Sequence, residues 1–164
     1  IRDSPGGKGL SAPDLLLLGD HAGDWDAYEA ALYQVFRAEI AGGLVFRGDR
    51  VSCRRMPETD GRWFAFWHLI QEGEIEDDRL PALRRCERIR WIKYVVEQWN
   101  ADDDVEWWEN TRGKERNVLL WYREEYLVIL ARRSGYWLLK SAYDTSQPHR
   151  VRSLRKERDR FHGA

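Results

Sequence analysis

Four β-rich segments in the last third of the chain constrain its fold more than any other feature. They cover residues 105–111, 117–122, 126–132 and 136–143. Arg112-Gly113-Lys114, Glu124-Glu125 and Ser134-Gly135 separate them, and connections this short join antiparallel neighbours. The segments therefore read as a meander. With turns centred on those residues, Leu120, Tyr122, Leu127, Ile129, Leu138 and Lys140 share one face. Leu119, Trp121, Val128, Leu130, Leu139, Ser141 and Tyr143 share the other. Both faces are apolar at the centre, so both need cover. The expected class is α+β: N-terminal helices packed on a four-stranded antiparallel β-meander, followed by a C-terminal helix.

The covering elements precede and follow the meander. Asp24 is a good N-cap for a helix carrying Trp25, Tyr28, Leu32, Val35, Phe36 and Ile40 at helical spacing, and Gly42-Gly43 stops it. Residues 44–47 and 51–55 flank Gly48-Asp49 as a short hairpin. Residues 63–70 form a nearly continuous apolar run suited to the core, and their period fits a strand or a helix equally. Pro81 suits the first position of a helix running from about residue 80 toward 99, with a break near Trp91. Pro148 opens a last helix whose inward stripe is Val151, Leu154, Arg158 and Phe161. Residues 1–23 are rich in Gly, Ser and Pro and read as a flexible arm, in which residues 15–18 are a docking patch. Residues 24–164 read as one domain, large enough to bury a core of its own.

Composition narrows the function by exclusion. The formal net charge of −1 gives no global attraction to nucleic acid or membrane. Charge is nonetheless uneven: 72–78 and 101–109 are acidic, while the last nineteen residues carry six basic side chains against two acids. Cys53 and Cys86 form neither a CxxC pair nor a disulfide framework, which points to a reducing cytoplasmic setting. No apolar stretch is long enough to span a membrane. His21, His68, His149 and His162 lack metal-ligand spacing. Gly6-Gly7-Lys8-Gly9 lacks the strand before it and the hydroxyl after it that a phosphate loop needs. Neither a metal nor a cofactor is expected.

Single acid–base groups remain. His68 sits in the most apolar run, as a core imidazole bonded to backbone or as a general acid or base. Lys140 is a cation in an apolar strand, either snorkelling past the sheet edge or aimed at a phosphate. Ser141 and Tyr143 follow it, and strand parity sends them to the opposite side unless a bulge intervenes. His149 opens the last helix, as an exposed end residue or as a base facing the positive end of the helix dipole. The Arg residues of that helix are a solvated face or a grip on phosphates. Metal-free RNA cleavage needs only a base for the 2′-OH, an acid for the 5′-oxygen and cations for the phosphorane.

Several strings carry a resemblance. Phe66-Trp67-His68, Arg84-Arg85-Cys86-Glu87-Arg88-Ile89-Arg90-Trp91, Leu119-Leu120-Trp121, Tyr126-Leu127-Val128-Ile129-Leu130-Ala131 and Ser141-Ala142-Tyr143 with His149 look like an uncharacterised bacterial family. That family is linked to phages and mobile elements and is similar to the barnase–EndoU–colicin–RelE-like ribonuclease superfamily. The resemblance runs from about Asp24 to Phe161. It implies a toxin-like, metal-independent endoribonuclease with RNA as substrate and a cognate inhibitor or antitoxin protein as partner. It implies site roles for His68, Arg88, Lys140, Ser141, Tyr143 and His149: catalytic for His68, Lys140, Tyr143 and His149, substrate-binding for Arg88 and Ser141. Apart from the resemblance, Arg112, Arg150 and Arg152 are expected to bind substrate as cations. The family commonly has Thr where this chain has Ser141, which keeps the hydroxyl. The alternative, from a different class, is a non-catalytic protein- or RNA-binding module of a phage or toxin–antitoxin system.

Overall fold

A computed structural model describes residues 10–72 and 80–163. Helix α1 (Trp25–Val35) starts where Asp24 accepts from the backbone N–H groups of Asp26 and Ala27, and it continues into a π-helical turn at Phe36–Ile40. Tyr28, Leu32, Phe36 and Ile40 are fully buried along its inner face. Strands β1 (Val45–Phe46) and β2 (Asp49–Ser52) form the expected hairpin, turned at Arg47-Gly48, both of which have positive φ as a tight hairpin turn requires. The apolar run resolves as helix α2 (Phe64–Ile70). It is followed by β3 (Gln71–Glu72) and its antiparallel partner β4 (Leu80–Pro81). Pro81 thus ends a strand rather than opening a helix. The helical stretch does break near Trp91, where α3 (Leu83–Glu87) and α4 (Trp91–Gln98) meet at an irregular joint over 88–90, but it begins at Leu83 and not near residue 80.

The last third holds β5 (Val105–Arg112), β6 (Glu115–Tyr122), β7 (Tyr126–Arg133), β8 (Tyr136–Asp144) and helix α5 (Pro148–His162). The four strands pair in sequence as expected, but they are not the whole sheet. β2 joins β8 in parallel through Val51↔Trp137 and Ser52↔Leu138, which makes a six-stranded mixed sheet ordered β1-β2-β8-β7-β6-β5.

The faces also divide differently from the sequence expectation. The β6–β7 connection is three residues, Arg123–Glu125, with Arg123 and Glu124 in the left-handed region. Tyr122 therefore lies opposite Tyr126, and Leu120 opposite Val128, not beside Leu127. Val118, Leu120, Tyr122, Tyr126, Val128, Leu130, Leu139 and Ala142 face the main core with α1, α2 and α4. Trp108, Leu119, Trp121 and Leu127 form a second core under Leu154 of α5. Each face is covered by helix, so the apolar strand centres are buried twice over.

A bulge interrupts β7–β8 pairing: Leu130 faces Leu139 but Ile129 faces Ser141, leaving Lys140 as an extra residue. The N-terminal arm is docked from Ala12 onward, whose backbone N–H donates to Tyr122 Oη at 3.1 Å. Tyr28 Oη donates to Leu16 O at 2.7 Å, Trp91 Nε1 to Pro13 O at 2.8 Å, and Leu16 N to Glu87 O at 3.0 Å. Leu15, Leu16 and Leu18 pack on the main core. Residues 1–9 and most of the acidic segment 72–78 lie outside the described residues. Cys53 and Cys86 are free thiols, each pushed up to about 12 by burial. Among the described residues no helix is long and apolar enough to cross a membrane.

Candidate active site along the edge of β8

β2 covers only the first part of β8, at Trp137 and Leu138. Among the described residues, 139–144 have no strand on their outer side, and helices α2 and α3 lean against that edge instead. Two clefts open along it. The bulge decides what faces them. Leu139 and Ala142, three residues apart instead of two, both enter the main core, whereas Lys140 reaches Glu115 and Tyr143 packs with the α5 cluster. The parity conflict between Lys140 and Tyr143 is therefore relieved by one inserted residue.

The first cleft, of about 190 Å³, is lined by Arg54, Phe64, His68, Glu115, Arg133 and Lys140. Glu115 begins β6 and Arg133 ends β7, so the antiparallel ladder sets them side by side. The Glu115 carboxylate accepts from Lys140 Nζ through one oxygen and from Arg133 Nη2 at 2.9 Å through the other. These two bonds, Lys140 first, hold its carboxyl below the usual carboxylate range against a smaller opposing effect of burial. Across the cleft, His68 stands on the last turn of α2, its ring parallel to Phe64 with centroids 6.0 Å apart. The Arg54 guanidinium lies 4.2 Å from the centre of the same Phe64 ring, so that a cation and an imidazole both neighbour one benzene ring. A carboxylate, an imidazole and three cations thus share one small cleft.

The second cleft, of about 460 Å³, lies further along β8 and is lined by Arg84, Arg85, Tyr143, Asp144, Ser146 and Arg150 among others. Arg85 separates the two: its Nη1 donates to Gln71 O at 2.8 Å and to His68 O at 3.4 Å, and its guanidinium sits 5.5 Å from the Tyr143 ring centre. Arg150 lies 5.2 Å from the same ring and donates to Tyr143 Oη at 3.4 Å. Arg84 donates to Asp144 at 3.1 Å and to Ser146 Oγ at 2.8 Å. Burial alone would raise the Asp144 carboxyl, but bonds from the Ser146 amide and hydroxyl and from Arg84 outweigh it and leave it lowered.

The sequence-derived residues are thus only partly gathered. His68 and Lys140 meet in the first cleft, while Tyr143 and Arg150 meet in the second. Ser141 is half-buried between them. His149 and Arg152 are exposed on α5 and line neither cleft. Arg112 pairs with Glu157 at 3.4 Å, where β5 meets α5. Arg88 sits at the α3–α4 joint, 12% exposed, over Trp91 and near Glu87 and Glu125. Glu115, Arg133 and Arg54 carry no sequence signal of a site role, and Arg84 and Arg85 stand out in sequence only within the string that carries the resemblance. The first two resemble solvated turn residues until the strand register sets them side by side. Among the described residues no three His, Cys, Asp or Glu side chains are grouped to hold a metal ion. Comparison with known protein families, with characterised proteins and with solved structures finds no match to this chain.

Proposed function

We propose that the chain is a metal-independent endoribonuclease of toxin type that cleaves single-stranded RNA at the first cleft. The observation that carries this reading is the meeting of Glu115, His68, Lys140 and Arg133 around one cavity on a strand edge. Glu115 accepts the proton of the 2′-OH, and the 2′-oxygen attacks phosphorus. His68 delivers a proton to the departing 5′-oxygen, giving a 2′,3′-cyclic phosphate and a free 5′-OH. Lys140 and Arg133 stabilise the charge that builds on the phosphorane oxygens. In the free protein those cations lie on Glu115. A bound phosphate draws them away and raises the proton affinity of the carboxylate at the moment it has to act as a base. Arg54 packs on Phe64, whose ring runs parallel to the imidazole. His149 has no part in this scheme.

The test is incubation of the purified protein with RNA in the presence of EDTA. Fragments ending in cyclic phosphate are expected, and His68→Ala and Glu115→Gln variants that remain folded should leave the RNA intact. Intact RNA at high wild-type concentration would overturn the assignment. One observation favours a second reading, a non-catalytic binding module: His149, to which the resemblance gives a site role, lies away from the first cleft, as do Arg112 and Arg152, expected from sequence to bind substrate. That reading predicts RNA or protein binding with no product.

A further inference from the structure

We propose that the second cleft is a phosphate subsite, which holds a backbone phosphodiester of the same RNA strand away from the bond that is cut. This rests on the ribonuclease reading and adds to it where the strand runs.

Three guanidiniums converge there, from α3 and from α5. Two are held in place before any ligand arrives. Arg85 is tied to the carbonyl of Gln71, and both Arg85 and Arg150 lie over the Tyr143 ring. Preset donors lose little freedom on binding an anion, and a planar guanidinium suits two phosphate oxygens at once. Among the described residues Arg150 makes no ion pair, and the Tyr143 ring and hydroxyl hold its guanidinium at the cleft. Among the described residues two carboxylates line the cleft, Asp144 and Glu72; Arg84 and Ser146 already engage Asp144.

Helix α5 adds to the attraction. It begins at this cleft, its N-cap Gln147 supplies no side-chain hydrogen bond, and its first turn has no acidic residue. The positive end of a 15-residue helix is therefore uncompensated by side chains of its own first turn. Tyr143 supports phosphate rather than base recognition, because two guanidiniums already lie over the ring where a base would stack. Lys140 and Tyr143 are three residues apart on one strand, about 10 Å at a strand's rise. A short single strand is long enough to span that distance past Arg85, from one cleft to the other.

The experiment uses the whole chain and a fluorescent 2′-O-methyl RNA strand, which has no free 2′-OH and is not cut. Anisotropy is measured at two salt concentrations. Arg150→Glu and Arg84→Ala are expected to weaken binding about tenfold or more, with a salt slope shallower by about one. Arg150→Lys should recover part of the loss. Wild-type affinity and slope in the Arg150→Glu variant overturn the subsite. So does a wild type that binds inorganic phosphate through Arg150 but not the strand, because the site would then serve a free anion. A wild type that binds the strand through Arg150 yet never cuts RNA leaves the subsite standing and removes the nuclease reading, so the two fail separately.

Discussion

Glu115→Gln keeps the shape of the side chain but removes the charge that gathers Lys140 and Arg133. If Glu115 is the base, cleavage falls by about 10²-fold or more, as for loss of a positioned proton acceptor. Binding of an uncleavable strand should at the same time hold or tighten, because the two cations are released to the phosphate. A purely structural Glu115 would weaken both together, so rate and affinity measured side by side separate the roles. Thr145 directly follows β8. It is fully buried, and its hydroxyl accepts from Trp121 Nε1 at 2.8 Å and donates to Glu124 O at 3.2 Å. Thr145→Val retains the volume and leaves the indole N–H without its acceptor, which costs about 1–3 kcal/mol. A lower urea midpoint with an unchanged slope is the expected result. An unchanged midpoint would show that another group takes over the indole proton.

At the scale of elements, α5 closes the second core with few apolar contacts, chiefly Leu154 over Trp108, Leu119, Trp121 and Leu127. Leu154→Ala should destabilise the protein by about 2–5 kcal/mol, the range for a buried leucine whose cavity cannot collapse. Urea unfolding followed by tryptophan fluorescence reads it directly, because Trp108 and Trp121 line the cavity; an effect within error would mean that α5 can detach without cost. The existence of these elements was largely legible in sequence. The Asp24 cap, the Gly-containing turns and Pro148 are local signals, and α1, the meander and α5 stand where those signals put them. Register was not legible. A three-residue turn at 123–125 in place of a two-residue one shifts β7 by one step, and in a strand one step exchanges the faces. Nor does any turn residue mark the bulge at Lys140, since an extra residue inside a strand has no composition of its own. The parallel pairing of β2 with β8 joins segments more than 80 residues apart, and a four-residue strand carries too little pattern to name its partner.

Over the whole molecule the candidate site is assembled from Arg54, Phe64, His68, Glu115, Arg133 and Lys140, of which only Phe64 and His68 stand at a helical spacing in the sequence. Two of them, His68 and Lys140, stood out only as polar groups in apolar runs. Glu115 and Arg133 gained meaning from the ladder alone. The same long-range pairs connect the charges to stability. Glu115 joins β6 to Arg133 and Lys140, Glu124 joins the β6–β7 turn to Arg155 of α5, and Asp144 joins β8 to Arg84 of α3. All three carboxyls are held low. Lys140 is the main cause for Glu115 and Arg155 for Glu124, while at Asp144 hydrogen bonds from Ser146 and Arg84 outweigh burial. A carboxyl with a lower pKa in the folded state than in the unfolded one binds fewer protons when folded, so stability rises with pH across the interval between the two. The contribution is complete above the unfolded value, near pH 4, and is lost as pH falls through the folded values. Urea midpoints should therefore change little on this account between pH 7 and pH 5 and drop steeply below about pH 4. Because the three pairs tie α3, α5 and the sheet to one another, the acid loss should expose the Trp108–Trp121 core and the β8 edge together. A midpoint that rises on acidification would mean that repulsion among carboxylates, not their pairing with arginine and lysine, governs this fold.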